Sequence, residues 1–332
     1  ATRSCHPRAY QQQPSVMKLP SSIARVAFAL FCLVVVSVLP AREAPAAASN
    51  KAAPTVLFIG NSFMFGANSP VRFYRANSVN DLNGEGIGGV PALFKAFATQ
   101  AGRDFTVSLE TSPGKNFDYH VQNKASIIGR AWDHVVTLGY STLDQSKPGD
   151  PALLIRSAKE LAELLHSKNS SVDIRLIATW SRADQTYPAT GHWHGQPIEK
   201  MALDVRAAYD SAAAGTPLIH GVIPVGEAWN RAIKTGIADP NPYDGIAAGQ
   251  IDLWSFDHYH ASTFGYYLEA LMVFGDLTGL DPRSLGKAER TALELGMSAD
   301  QAAALQQVAF DELTATNGRA PLQTFTPVPL PR

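Results

Sequence analysis

The sequence predicts an α/β domain built around a parallel β-sheet. Of its 332 residues, 45% are hydrophobic and 17% are charged, which provides the apolar material for a large core. Short β-branched or aromatic runs alternate along the chain with longer segments in which apolar residues recur at helical spacing. The run 55–59 shows no polar alternation, so we expect it to be a central strand that is buried on both faces.

Five strands and five helices are predicted along the chain. The predicted strands are residues 55–59, 105–110, 134–138, 173–179 and 218–225. The predicted helices are residues 90–101, 151–166, 198–214, 263–277 and 299–315. The helix from Pro151 has the clearest signals, because Asp150 can cap it and a proline suits its first turn. We therefore expect five parallel strands with helices on both faces of the sheet.

The N-terminal residues have the pattern of a secretory signal peptide. Residue 1 is not methionine, and we interpret residues 1–16 as upstream or propeptide sequence. From Met17, basic residues precede the apolar run 26–39 and an alanine-rich stretch, so residues 17–48 are predicted to be the signal peptide. The apolar run is too short to span a bilayer comfortably, although an uncleaved anchor is the competing interpretation. We expect a secreted or periplasmic protein with no stable membrane insertion after cleavage.

The remainder of the chain is predicted to be one domain, residues 49–320, with a proline-rich, extended or disordered tail at residues 321–332. The two cysteines, Cys5 and Cys32, lie in the part expected to be removed, so we predict no cysteine nucleophile and no cysteine-ligated zinc. A net charge of -1 and the lack of a long basic run argue against nucleic acid as a partner. The expected partner is a small molecule or a neutral polymer.

A candidate nucleophile follows the first predicted strand. Gly60, Asn61 and Ser62 come directly after it, at the edge of the sheet where open α/β folds bind ligands. A serine hydroxyl there can act as a nucleophile, provided that an imidazole takes its proton. The alternative interpretation is that Asn-Ser only turns the chain.

A candidate base lies towards the other end of the chain, where Asp257 precedes His260 by three residues. This spacing lets the carboxylate of Asp257 accept a hydrogen bond from one ring nitrogen of His260. The other ring nitrogen would then be available to Ser62, so the predicted arrangement is a Ser-His-Asp triad. The alternative is a turn that only caps the helix predicted at residues 263–277.

Together, these two segments resemble the first and last motifs of the SGNH hydrolases, the superfamily that contains the GDSL esterases and lipases. The resemblance is carried by Gly60-Asn61-Ser62 after the first strand and by Asp257 and His260 before a helix. It implies a flavodoxin-like three-layer α/β/α sandwich with a five-stranded parallel sheet. It also implies ester hydrolysis through an acyl intermediate on Ser62, with no cofactor and no metal.

The resemblance further implies an oxyanion hole formed by three loops. The backbone NH groups of Ser62 and Gly114 are two candidate donors, the second in a Ser-Pro-Gly segment after the second strand. The third motif normally supplies an asparagine, but this sequence has Ser141 at that position. Ser141 is therefore the candidate third donor, and Gln145 and Asn116 are the alternatives. Loss of one donor typically lowers turnover about 10²- to 10³-fold, so the replacement matters.

Longer sequence segments resemble more specifically a little-characterised bacterial branch of the superfamily, which has Gly-Asn-Ser-Phe in its first motif. Some relatives in that branch are carbohydrate esterases, and Trp180 and Trp193 are candidate platforms for sugar rings. The predicted function is a secreted serine esterase of carboxylic esters, with acetylated carbohydrates among its candidate substrates. Two other classes stay open: a non-catalytic carbohydrate-binding protein on the same fold, and a nucleotide-binding oxidoreductase.

Three other patterns are weaker. Residues 84–89 satisfy Gly-x-Gly-x-x-Gly, but they do not follow a strand directly, as a dinucleotide-binding loop must. Residues 81–86 are similar to the start of a calcium loop, but position twelve is an alanine and no helix precedes them. His192 and His194 lack a third ligand at helical spacing, so we expect loop residues there rather than a metal site.

Overall fold

The computed structural model describes residues 52–315 and 320–330, and the structural statements below apply to those residues. The predicted upstream segment, the signal peptide and the start of the domain lie outside them, so those assignments stay predictions. Within the described ranges, no helix is both long enough and apolar enough to cross a membrane.

A six-stranded, all-parallel β-sheet forms the centre of the fold. Its strands are β1 (Thr55–Gly60), β2 (Asn80–Asp81), β3 (Thr106–Thr111), β4 (His134–Thr137), β5 (Asp173–Ala178) and β6 (Gly221–Pro224). They lie in the order β2-β3-β1-β4-β5-β6. The register places Gly60 of β1 beside Thr111 of β3, and Ile59 beside Thr137 of β4. The loops that follow these three strands therefore start side by side.

The prediction of a parallel sheet is confirmed, but the predicted number of strands was wrong. The additional strand, β2, has two residues, and they pair with Ser108 and Leu109 of β3. A segment this short carries no hydrophobic periodicity, so no sequence pattern marks it. The last predicted strand also ends earlier than expected, because Pro224 terminates β6 and a helix begins directly at Val225.

Helices flank the sheet. They are α1 (Ser62–Phe65), α2 (Gly89–Gln100), α3 (Phe117–Ile128), α4 (Ala152–His166), α5 (Ala183–Thr186), α6 (Glu199–Ala214), α7 (Val225–Lys234), α8 (Thr263–Thr278), α9 (Arg290–Glu294) and α10 (Ala299–Ala315). The five predicted helices are present as α2, α4, α6, α8 and α10. The sequence did not predict α3, in which Phe117, His120 and Ile128 are the buried residues, so that its apolar periodicity is weak.

The helices cover both faces of the sheet, which confirms the predicted three-layer α/β/α arrangement. On one face, residues of α2, α7, α8 and α10 form a single hydrophobic cluster with Val56 and Phe58 of β1, in which α10 packs on α7 and α8. The other face packs α3, α4 and α6 against Leu57 and Ile59. All four of these β1 side chains are fully buried, as expected for a central strand. Burial of each contributes about 1.5–3 kcal/mol, which anchors the strand that carries the candidate nucleophile.

The proline-rich tail is extended and lies against the domain over residues 320–330. Gln323 forms a bridge with Leu280, and the NH of Val328 donates a hydrogen bond to the backbone oxygen of Gln100 over 2.7 Å. Leu330 is buried. These contacts attach the described part of the tail to the side of the domain formed by α2 and the end of α8.

Candidate active site

Asn61 joins the three loops that follow β1, β3 and β4. Its Oδ1 accepts a hydrogen bond from the NH of Phe63 over 3.1 Å and so caps α1. Its Nδ2 donates to the backbone oxygens of Lys115 and Gly139, each over 3.0 Å. An asparagine suits this position because it both caps a helix and donates two hydrogen bonds. One side chain therefore sets the spacing of the loops that carry Ser62, Gly114 and Ser141.

Ser62 is the first residue of α1, at the carboxyl end of the central strand. Its backbone oxygen accepts a hydrogen bond over 3.1 Å from the hydroxyl of Tyr266, which also donates to Ala67. Burial raises the pKa of Tyr266 well above its ordinary value, so this hydroxyl stays protonated and can keep donating. Helix α8 thereby holds the backbone of the turn that presents Ser62.

Asp257 and His260 are hydrogen-bonded to each other in the loop before α8. The distance from Asp257 Oδ2 to His260 Nδ1 is 2.6 Å. Asp257 Oδ1 also accepts hydrogen bonds from the backbone NH groups of Tyr259 and His260 and from the hydroxyl of Ser255. Burial raises the pKa of Asp257, but its hydrogen bonds with His260 and Ser255 lower it by more. The net pKa lies below the ordinary value, so the group is a carboxylate at neutral pH.

The second ring nitrogen of His260 is buried and has no hydrogen-bond partner among the described residues. The ring packs against the ring of Phe63, with 5.5 Å between centroids, and against that of Tyr259, with 3.9 Å. The imidazole thus lies beside α1, next to the residue that follows Ser62. The structure brings Asp257 and His260 together, and it does not form a hydrogen bond between His260 Nε2 and Ser62. Such bonds often tighten only once substrate is present.

Gly114 lies in the loop that follows β3, next to Lys115, whose backbone oxygen receives the Asn61 hydrogen bond. Its φ of 62° is in the left-handed region, and a Cβ added there would meet no atom within 4 Å. The glycine is therefore favoured by backbone conformation rather than by crowding. This conformation lies in the loop adjacent to Ser62, where the sequence places the second oxyanion donor.

The three candidates for the third oxyanion donor occupy different environments. Asn116 is fully buried, its Oδ1 accepting from the NH of Tyr140 and its Nδ2 donating to Ser157. Its amide therefore joins the β3 and β4 loops to α4. Gln145 is exposed to solvent. Ser141 is buried, and its Oγ lies 3.4 Å from Nη1 of Arg182. Ser141 stays the predicted third donor.

No protein-family model and no curated protein matched the sequence. Among solved structures, the chain is similar to a DUF4886 family protein from Bacteroides uniformis, with 18% identity and a TM-score of 0.51, over 81% of this chain and 98% of that one. It is similar to a candidate GDSL-like lipase from Parabacteroides merdae, with 17% identity and a TM-score of 0.49, over 68% and 95%. Phospholipase A1 from Streptomyces albidoflavus gives 12% identity and a TM-score of 0.42, over 66% and 98%.

The chain shares its fold with the DUF4886 family protein. The three-layer α/β/α arrangement expected from the sequence resemblance is confirmed, with six strands in place of five. At 18% identity, the similarity to the DUF4886 family protein concerns the fold and not the reaction.

Two residues beside the predicted triad had no signal in the sequence. Asn68 has a left-handed φ of 59°, and its Nδ2 donates to Asp257 Oδ2 over 2.7 Å. The two residues are 189 positions apart, so no local spacing connects them. Arg182, the second residue, follows β5 and places its guanidinium over the ring of Tyr259, 3.7 Å from the centroid. Short-range motifs do not reveal contacts of this kind.

The two tryptophans proposed as sugar platforms belong to the core, so that prediction was wrong. Trp180 is fully buried between the rings of Phe63 and Trp229, at centroid distances of 4.5 and 4.6 Å. Trp193 is also buried and donates its indole NH to Asp204 over 3.0 Å. Exposed aromatic rings occur instead at Tyr243 and Phe256, whose exposed fractions are 46% and 80%. The large flat ring of tryptophan suggested a sugar-binding role, but a buried ring cannot contact a ligand.

The glycine-rich loop is organised by a carboxylate of its own. The two oxygens of Asp81 accept hydrogen bonds from the backbone NH groups of Asn83, Glu85 and Ile87, over 2.8–3.1 Å. A bound phosphate would need free NH groups of this kind, so the loop offers no support for dinucleotide binding.

Nδ1 of His194 lies 3.0 Å from the backbone oxygen of Tyr187. Within residues 52–315 and 320–330, no group of three or more potential side-chain ligands could hold a metal.

Proposed function

We propose that the protein is a serine esterase in which Ser62, His260 and Asp257 form the catalytic triad. The observation that carries this proposal is the 2.6 Å hydrogen bond between Asp257 and His260 Nδ1, which leaves Nε2 unpaired beside α1. An imidazole nitrogen that makes no hydrogen bond with the described residues can accept the proton of a hydroxyl brought within reach. When the carbonyl carbon of an ester lies next to Ser62, the serine hydroxyl can attack it and transfer its proton to this nitrogen.

The chemistry follows from the placement of these groups. His260 Nε2 takes the proton of the Ser62 hydroxyl as its oxygen attacks the carbonyl carbon, and Asp257 stabilises the resulting imidazolium. The backbone NH groups of Ser62 and Gly114 donate to the oxygen that becomes negative. His260 then returns the proton to the departing alcohol. Water, deprotonated by His260, attacks the acyl-serine, and His260 returns that proton to the Ser62 oxygen as the acyl–oxygen bond breaks and the acid leaves. Each step uses groups of this chain, the ester and water.

We propose acetylated carbohydrates as a substrate class, on the basis of exposed rings near the triad. Tyr243 packs against His258 in a tilted arrangement, with 4.2 Å between ring centroids, and His258 precedes His260 by two residues. Phe256 precedes Asp257 and is 80% exposed. Exposed rings of this kind can lie against the apolar faces of sugars while polar groups bind the hydroxyls. Secretion, as predicted from residues 17–48, would bring the enzyme to such polymers.

The test of the esterase proposal is hydrolysis of p-nitrophenyl acetate and p-nitrophenyl butyrate by the wild-type protein and by Ser62→Ala. A fluorophosphonate probe, followed by peptide mapping, would identify the reactive residue in the same preparations. We expect turnover and labelling of Ser62 in the wild type and neither in the variant. Turnover that persists at the wild-type rate in Ser62→Ala would show that the serine is not the nucleophile.

A non-catalytic carbohydrate-binding protein is the second candidate, and Ser141 in place of an asparagine favours it. This replacement would leave the oxyanion with two backbone donors if the serine hydroxyl did not contribute. Such a protein would bind acetylated oligosaccharides equally well with or without Ser62, and it would neither turn over esters nor take the fluorophosphonate label. The same preparations therefore separate the two candidates.

A further inference from the structure

Arg182 is fixed beside the proposed active site by two contacts. Its Nε and Nη2 donate to the two carboxylate oxygens of Asp184 over 2.9 and 2.6 Å. Its guanidinium also lies over the ring of Tyr259, which in turn packs against the ring of His260. A planar guanidinium held by a two-point carboxylate contact and an aromatic ring has little freedom to move. Arg182 is therefore a rigid donor at the carboxyl edge of the sheet.

The third contact of Arg182 is with Ser141, at the position where the third oxyanion donor is expected. Nη1 lies 3.4 Å from Ser141 Oγ. A guanidinium can only donate, so Ser141 Oγ is the acceptor in this contact. The hydroxyl hydrogen of Ser141 must then point away from Arg182 and is available to another acceptor. The positive charge beside the oxygen also makes that hydrogen a better donor.

We propose that the hydroxyl of Ser141 is the third oxyanion donor and that Arg182 is the residue that positions and polarises it. This inference rests on the proposed esterase function. An asparagine in the third loop would donate through its own amide, whereas a serine hydroxyl rotates freely and needs a neighbour to orient it. Arg182 supplies that orientation from the loop that follows the adjacent strand, β5. The two side chains together replace one amide group.

The proposal is tested by steady-state kinetics of p-nitrophenyl acetate hydrolysis. Ser141→Ala should lower kcat about 10²-fold with little change in KM, because the oxyanion exists only in the transition state. Arg182→Met should lower kcat about tenfold, the effect of one charge-assisted hydrogen bond. In the Ser141→Ala background, Arg182→Met should cause no further loss, because Arg182 acts through the serine hydroxyl.

Two further variants separate orientation of the hydroxyl from general stabilisation. Ser141→Asn combined with Arg182→Met should regain most of the turnover, since an amide donates without help from Arg182. Arg283→Met is the matched control. Arg283 also binds a carboxylate two positions away, Asp281, and its guanidinium lies over the ring of Phe310, but it is near the opposite end of α8. This control should keep the wild-type kcat, and thermal melting would verify that every variant is folded.

Each result bears on one of the two proposals in a distinguishable way. A wild-type protein without Ser62-dependent turnover would overturn the esterase function and this inference with it. Ser62-dependent turnover that is unaffected by Ser141→Ala or by Arg182→Met would overturn the inference alone. So would additive losses in the double variant, or a loss in Arg182→Met that Ser141→Asn does not restore.

Discussion

The hydrogen bond from Asn68 to Asp257 offers a direct test of how the proposed triad is held. Asn68→Gly removes the side-chain amide and keeps the backbone, because glycine tolerates the left-handed φ of 59° that this position requires. Asn68→Ala would add backbone strain to the loss of the amide. The glycine variant therefore isolates the contribution of the side-chain amide, whose Nδ2 donates to Asp257 over 2.7 Å and lies 3.4 Å from His260 Nδ1.

The expected size of the effect follows from the other contacts of Asp257. A hydrogen bond to a charged group contributes about 1.5–3 kcal/mol. Four other hydrogen bonds, from Ser255, from Tyr259 and from the ring and backbone of His260, remain on the Asp257 carboxylate. We therefore expect the carboxylate to keep its approximate position and kcat/KM to fall roughly tenfold. Asn68→Asp should lower kcat/KM about 10²-fold at neutral pH, because two adjacent carboxylates cannot both ionise freely. Turnover of this variant should partly recover at lower pH, where one of the two carboxylates is protonated.

The assay is kcat/KM for p-nitrophenyl acetate from pH 5 to pH 9, with thermal melting to verify the fold. Asn169→Gly is the matched control, because its amide donates to the backbone oxygen of Trp132 over 2.8 Å, in the loop that leads into β5 at the opposite edge of the sheet. It should keep the wild-type activity. If Asn68→Gly stays within about twofold of the wild type at every pH, the hydrogen bond does not support the proposed base.

Two further predictions concern stability and substrate. Both carboxylate oxygens of Glu269 are buried without a described hydrogen-bond partner, and burial raises the pKa of Glu269 well above its ordinary value. The folded state thus keeps a proton that the unfolded chain releases above about pH 4.3, so this group lowers stability as pH rises. Glu269→Gln should raise the melting temperature by a few degrees at pH 8, with a smaller gain at pH 4, and an equal gain at both would contradict the reasoning. Tyr243→Ala and Phe256→Ala should each raise KM for an acetylated oligosaccharide severalfold and leave p-nitrophenyl acetate hydrolysis unchanged; equal losses on both substrates would exclude a sugar-binding surface.

Long apolar runs made the main elements of the fold predictable. The strand at residues 55–59 was recognised because a buried parallel strand has no polar alternation. Strand β2 was not predicted, because two residues carry no pattern. The start of α7 was not predicted either, because Val225 continues the apolar run of β6 across Pro224. Sequence patterns thus report burial over several residues and fail where an element is short or changes without a loop.

The predictability of the candidate site depended on distance along the chain. The contact between Asp257 and His260 followed from a separation of three residues within one loop. The contacts of Asn68 with Asp257 and of Arg182 with Ser141 join residues 189 and 41 positions apart, and no local spacing encodes them. Such contacts arise when the sheet aligns the ends of its strands, which is a property of the whole fold.

The central position of β1 has a consequence for synthesis of the chain. Strand β1 is the first strand of the sheet to be synthesised, and its neighbours β3 and β4 follow later in the chain. Its apolar residues therefore stay unpaired until both neighbours have been made. The hydroxyl of Tyr266, which holds the turn at Ser62, arrives 204 residues after that serine. A nascent or prematurely terminated polypeptide would therefore carry the proposed nucleophile without the proposed base and without helix α8, which holds the turn at Ser62. The proposed serine reactivity would therefore require nearly the entire domain to be made and folded.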